Sequence, residues 1–114
     1  MENNNIKQKD LVLLPYPFFD LRGNRVRPAL VVSNNKLNKK FDDCILVPLT
    51  SVIKKEPFSI IISQKDLDSG RLIRLSRVRV DKIFNVKKSL IKMKIGTLKE
   101  NVFLRVKKEI HNIF

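Results

Sequence analysis

Pro28-Ala29-Leu30-Val31-Val32-Ser33-Asn34 and Asp43-Cys44-Ile45-Leu46-Val47-Pro48-Leu49-Thr50-Ser51 decide the fold of this chain. Both stretches are short, apolar and rich in β-branched side chains, and a polar connection dominated by Asn and Lys joins them. Such runs fit a pleated, packed surface, so the pair reads as two buried strands. Upstream, Leu11-Val12-Leu13-Leu14 precedes Pro15 and Pro17, which end ladder hydrogen bonding and close a first strand over residues 10–17. The loop after it holds Asp20, Gly23 and Asn24, residues that tolerate turns, and mixes Arg22 and Arg25 with Phe18 and Phe19. A basic and aromatic loop of this kind suits contact with nucleic acid.

Downstream, residues 58–63 make another short strand and residues 65–70 a polar turn or a single helical turn. Residues 73–84 alternate imperfectly: Leu75, Arg77 and Arg79 against Ser76, Val78 and Val80, with the second set expected inward and the arginines on the other face. At the C-terminus, Thr97 and Glu100 fit a capping box, and Leu98, Val102, Val106, Ile110 and Phe114 recur at spacing four, an apolar stripe on a helix. About five short strands and a terminal helix predict an α+β, mainly β fold built on a strongly curved sheet or small barrel.

A chain of 114 residues with 43% hydrophobic content predicts one domain over residues 1–114, with a core that needs no disulfide or structural metal. The start lacks the pattern of a signal peptide, and the longest apolar run, residues 11–19, is too short and proline-broken to span a membrane. Cys44, the only cysteine, lies in an apolar run, which predicts a buried thiol and fits a reducing cytoplasm. The net charge of +13 draws polyanions: nucleic acid, acidic protein or anionic membrane. The excess sits late, with thirteen Lys/Arg from Arg71 onward against Asp81, Glu100 and Glu109.

Three glycines include no phosphate-cradling loop, there is no Cys/His ligand cluster, and His111 stands alone on the terminal helix, where an exposed histidine is expected. P-loop, zinc and paired-histidine chemistries are thereby set aside. What remains is Arg, Thr and Asp at strand ends. Arg27 precedes Pro28, whose ring imposes extended geometry on it, directing this Arg away from the strand it introduces and leaving its guanidinium to fork onto a phosphate.

Leu11-Val12-Leu13-Leu14-Pro15-Tyr16-Pro17-Phe18, Arg27-Pro28-Ala29-Leu30-Val31-Val32-Ser33, Ile45-Leu46-Val47-Pro48-Leu49-Thr50-Ser51 and Val78-Arg79-Val80-Asp81, followed by Lys94-Ile95-Gly96, resemble the successive signatures of the MazF/PemK family of toxin endoribonucleases. The resemblance implies an SH3-like barrel with C-terminal helical additions, a homodimer, cleavage of single-stranded RNA without metal or cofactor, and restraint by an acidic antitoxin. It implies that Arg27 and Thr50 are the main catalytic pair, with Arg79 and Asp81 as further catalytic residues. Phe18, Asp20, Arg22, Arg25, Ser51 and Arg77 are the expected RNA contacts. Asp81 is either the general base or the group that orients Arg79, or else the two form a structural ion pair. Two departures stand out: Lys9 occupies the place where the family usually has Gly, and the segment before Arg27 lacks the histidine that some members carry. A non-catalytic module of the same fold, binding nucleic acid or acting on a protein target as CcdB does, is the alternative.

Overall fold

Three apolar runs set the frame because each is covered on both sides. The computed structural model describes residues 5–15 and 26–114. In it β1 (Asp10–Pro15), β2 (Val26–Val31) and β3 (Asp43–Thr50) are antiparallel neighbours. Leu11, Leu30, Val47 and Leu49 point into one core with Val78, Val80, Leu98 and helix residues Val102, Phe103 and Val106. The alternate residues Val12, Leu14, Ala29, Val31, Cys44 and Leu46 enter a second cluster closed by Ile6 and Ile91, with Phe84 and Val86 packed against it. Burial on both faces is why these strands read as continuous apolar runs rather than as alternation.

Five further strands complete the sheet: β4 (Ser59–Ile62), β5 (Leu67–Gly70), β6 (Ser76–Arg79), β7 (Phe84–Lys87) and β8 (Met93–Leu98). The order is β4-β6-β3-β2-β1-β8-β5, with β7 also on β3. The sheet curls into a half-barrel, and α2 (Glu100–Ile113) lies against its concave core. The mainly β fold with a closing helix is therefore as expected, with eight strands among the described residues rather than about five.

Several local expectations are corrected. Residues 73–84 are not one strand: β6 spans only Ser76–Arg79, and β7 turns back to pair Phe84 with Leu46 and Lys87 with Asp43. Ser76, Val78 and Val80 do pack inward, but Arg77 is buried as well. Residues 65–70 contribute the end of a 3-10 turn (Gln64–Asp66) and then β5. The Asn/Lys connection folds as α1 (Asn35–Lys40), whose N-cap Asn34 accepts from the Leu37 N–H at 2.8 Å. The 97/100 capping box does not form: Thr97 belongs to β8, and the N-cap of α2 is Lys99, with no side-chain cap. The apolar stripe buries Val102 and Val106, adds Phe103, and leaves Phe114 exposed.

Lys9 keeps the left-handed backbone that a glycine would adopt, at φ 82°. Its N–H donates to Val31 O and its carbonyl accepts from Leu98 N, so this turn ties β1 to both neighbours. A side chain there costs about 1 kcal/mol, and the Lys9–Glu100 ion pair at 2.8 Å gives the lysine a partner.

Candidate active site

β3 changes partners along one edge. Residues Asp43–Leu46 pair with β7, Leu49 and Thr50 with β6, and Pro48, which has no N–H to offer, lies in the gap between them. On the other edge Ala29 pairs with Pro48. Continuing that register two positions sets Arg27 opposite Thr50. Arg27 is itself a residue of β2, paired with Leu14, and does not turn away from the strand as Pro28 suggested. Pro28 is a neighbour within the strand that leaves extended geometry intact.

Arg27 and Thr50 line one groove of about 480 Å³ together with Ser51, Ser76, Arg71 and Arg74, over apolar walls from Leu13, Leu49, Leu72 and Ile95. Among the described residues no carboxylate or imidazole lines it. The Arg27 Nε is buried and has no hydrogen-bond partner, alone in this among the described side chains. A buried donor left unmade costs about 1–3 kcal/mol, so this atom is the natural place for an incoming acceptor. Thr50 Oγ1 accepts from the Val52 N–H at 3.1 Å, which leaves its own O–H proton to donate.

Arg77 and Arg79 stand on the same strand with their guanidinium groups engaged. Arg77 is 3% exposed, donates from Nε to the Val52 carbonyl at 3.1 Å, and lies 3.9 Å from Glu56. Arg79 grips Asp81 at two points, Nη2 to Oδ2 at 2.8 Å and Nε to Oδ1 at 3.3 Å. That guanidinium holds the Asp81 carboxyl below the usual carboxylate range, and the pairing raises Arg79 in turn. Neither Arg79 nor Asp81 lines the groove. Phe18, Asp20, Arg22 and Arg25 lie outside the described residues.

Sequence reading missed Arg71 and Arg74, counted only as part of the basic second half. Their place on the groove follows from Gly70, at φ 86°, after which the Arg71 N–H donates to Ile95 O at 2.9 Å. The Gln64 amide brackets the same segment, donating to Gly70 O and accepting from Leu72 N. A lone Gly before Arg-x-x-Arg was the available signal.

Cys44 is buried as expected, and burial pushes its thiol up to about 11, far from a nucleophilic thiolate. His111 is exposed. No group of three or more His, Cys, Asp or Glu able to hold a metal ion occurs among the described residues, and none of their helices is long and apolar enough to cross a membrane.

No curated protein sequence matches the chain. Solved structures of similar fold include a mycobacterial endoribonuclease in complex with its cognate antitoxin, 20% identical over 94% of this chain and 92% of that one, TM-score 0.76. A Deinococcus radiodurans MazE–MazF complex is 21% identical over 95% and 94%, TM-score 0.74. The Mycobacterium tuberculosis toxin MazF-mt6 is 14% identical over 90% and 93%, TM-score 0.73. At these identities the likeness establishes the half-barrel and closing helix. Residues 7–114 match the family described as PemK-like, MazF-like toxin of type II toxin-antitoxin system, a match that spans nearly the whole chain. The chain therefore belongs to the PemK-like, MazF-like toxin family of type II toxin–antitoxin systems.

Proposed function

We propose that the protein is an endoribonuclease toxin that cuts single-stranded RNA in the cytoplasm without a metal ion, acts as a homodimer, and is restrained by an acidic antitoxin. The observation that carries this reading is the partnerless, buried Arg27 Nε in a groove that Thr50 also lines and whose charged described residues are Arg27, Arg71 and Arg74. Family membership supports it, as do structural neighbours that are an endoribonuclease with its cognate antitoxin and a MazE–MazF complex.

RNA carries its own nucleophile. The 2′-oxygen attacks the adjacent phosphorus, the bond to the 5′-oxygen breaks, one proton leaves the 2′-hydroxyl and another reaches the 5′-oxygen, giving 2′,3′-cyclic phosphate and 5′-hydroxyl ends. Arg27 donates to the non-bridging oxygens as charge builds there, and Thr50 donates its hydroxyl proton to the same phosphate. Arg71, Arg74 and Ser51 receive the flanking backbone. Asp81 takes the orienting role toward Arg79, since a carboxyl held low by a two-point ion pair is a weak proton acceptor at neutral pH. Phe18, Asp20, Arg22 and Arg25 remain RNA contacts on sequence grounds.

The test is cleavage of a long single-stranded RNA in EDTA, with end-group analysis. Arg27→Ala and Thr50→Ala are each expected to lower the rate about 10²–10³-fold while retaining cooperative thermal melting; full activity in both removes the assignment. The second reading, a non-catalytic toxin acting on a protein target, draws on the lack of any described carboxylate or imidazole lining the groove. Toxicity without RNA cleavage selects it.

A further inference from the structure

Thr50 stands between two arginines that differ in what they are free to do. On the β2 side is Arg27, with its unpaired Nε; on the β6 side Arg77 pairs directly with Thr50 across the strands. The Arg77 Nε donates to the Val52 carbonyl at 3.1 Å, and the Val52 N–H donates to Thr50 Oγ1 at 3.1 Å. One residue, Val52, thus links the buried guanidinium to the hydroxyl. Residues 51–58 are all exposed, and Val52 itself is 60% exposed, so side-chain burial does not fix this turn. The two hydrogen bonds hold its Val52 end, and the Val80 N–H, donating to Phe58 O at 3.0 Å, holds the other.

We propose that Arg77 is a positioning residue for Thr50. By holding the Val52 carbonyl it keeps the Val52 N–H on the Thr50 oxygen. That acceptor bond selects one of the threonine's staggered rotamers and fixes the direction in which its hydroxyl proton is offered. Glu56, 3.9 Å from Arg77 Nη1, steadies the guanidinium at its far end. The inference rests on Thr50 being a phosphate ligand in RNA cleavage, and it replaces direct RNA contact as the role of Arg77, whose 3% exposure leaves little surface for a phosphate.

Arg77→Lys is the decisive variant. A lysine chain keeps the positive charge but places a methylene where the arginine Nε donates, so a charge contact to RNA survives and the bond to Val52 O does not. Arg77→Met removes both. In the full chain, amide exchange at Val52, read by NMR, is expected to quicken about tenfold or more in both variants. The cleavage rate at saturating RNA is expected to fall about 10–100-fold, with affinity for a non-cleavable 2′-deoxy-substituted RNA within about threefold of wild type. Combined with Thr50→Ala, Arg77→Lys is expected to cost nothing further, as for residues that act as one unit.

Unchanged Val52 exchange, full activity in Arg77→Lys, loss confined to affinity, or additive losses in the double variant each overturn the inference while leaving the ribonuclease reading intact. A wild-type chain that cuts no RNA overturns both. Should Arg77→Met fail to fold, Arg77→Lys carries the test, because it retains the charge facing Glu56.

Discussion

Three arginines lie on two strands that flank β3, and each spends its guanidinium differently: Arg27 leaves Nε unpaired, Arg77 binds backbone, and Arg79 binds Asp81. Only the first is in a position to gain by meeting a phosphate. For Asp81 the sign of the pH effect follows from its lowered pKa. The folded state binds this proton less readily than the unfolded chain. The stabilisation is therefore fully present above the unfolded value of about 3.9, and is lost as pH falls through the lower folded value. With the two side chains 30% and 38% exposed, solvent screening limits the pair to about 0–1 kcal/mol. Asp81→Asn is expected to melt at most a few degrees lower at neutral pH, with the gap closing below the carboxylate range. In activity, the variant is expected to leave any limb of the pH–rate profile near neutrality in place. Disappearance of such a limb in Asp81→Asn would make the carboxylate the base after all. Arg27 and Thr50 were singled out by the resemblance to the MazF/PemK signatures, in an Arg-Pro entry and a Pro-x-Thr-Ser exit, and the structure adds that the two strands carrying them pair. The fate of Arg77 was not legible, because alternation along β6 placed it outward, and the bond that engages it comes from a loop 25 residues away in sequence.

At the scale of elements, the groove's second wall depends on how closely β5 approaches β8. A Cβ on Gly70 would lie 2.2 Å from Ile95 O and 2.3 Å from the Gly96 Cα, and the residue sits at φ 86°. Both penalties fall on backbone, which cannot rotate away. Gly70→Ala is expected to cost at least about 2 kcal/mol, a drop of about 10 °C in Tm for a domain of this size. It is also expected to loosen Arg71 by disturbing its N–H bond to Ile95 O. A thermal melt checks the first effect and RNA affinity the second; a Tm within a degree of wild type would refute the account. β5 itself was hidden from sequence reading: Leu67-Asp68-Ser69-Gly70 buries only Leu67 and lies at the sheet's edge, so its run offers neither apolar continuity nor alternation. β1, β2 and β3 were legible for the opposite reason, two-sided burial. The terminal helix was legible from spacing four, yet Phe103, one of its most buried residues, falls off that spacing because the curled sheet covers a face wider than a single stripe.

Across the whole molecule, the charge of +13 acts in two ways that a single measurement separates. A diffuse field speeds encounter with any polyanion, whereas arginines seated along the groove release counterions from particular phosphates. For single-stranded nucleic acid each neutralised phosphate contributes about 0.7 to the slope of log affinity against log salt. Replacing Arg71 and Arg74 together by Ala is expected to reduce that slope by about 1.4 and to weaken RNA of different sequences alike. Lys107 and Lys108 are exposed on α2 and do not line the groove. Replacing both by Ala removes the same net charge, and the slope is expected to stay at its wild-type value. Equal changes in the two double variants would mean that the charge works as a field and that the groove is not the path of the RNA. An acidic antitoxin segment lying in the same groove would follow the same rule, with its affinity losing salt dependence in Arg71→Ala/Arg74→Ala and keeping it in Lys107→Ala/Lys108→Ala. A partner that binds elsewhere would keep its salt dependence in Arg71→Ala/Arg74→Ala, so the paired variants place protein and RNA on one surface or on two.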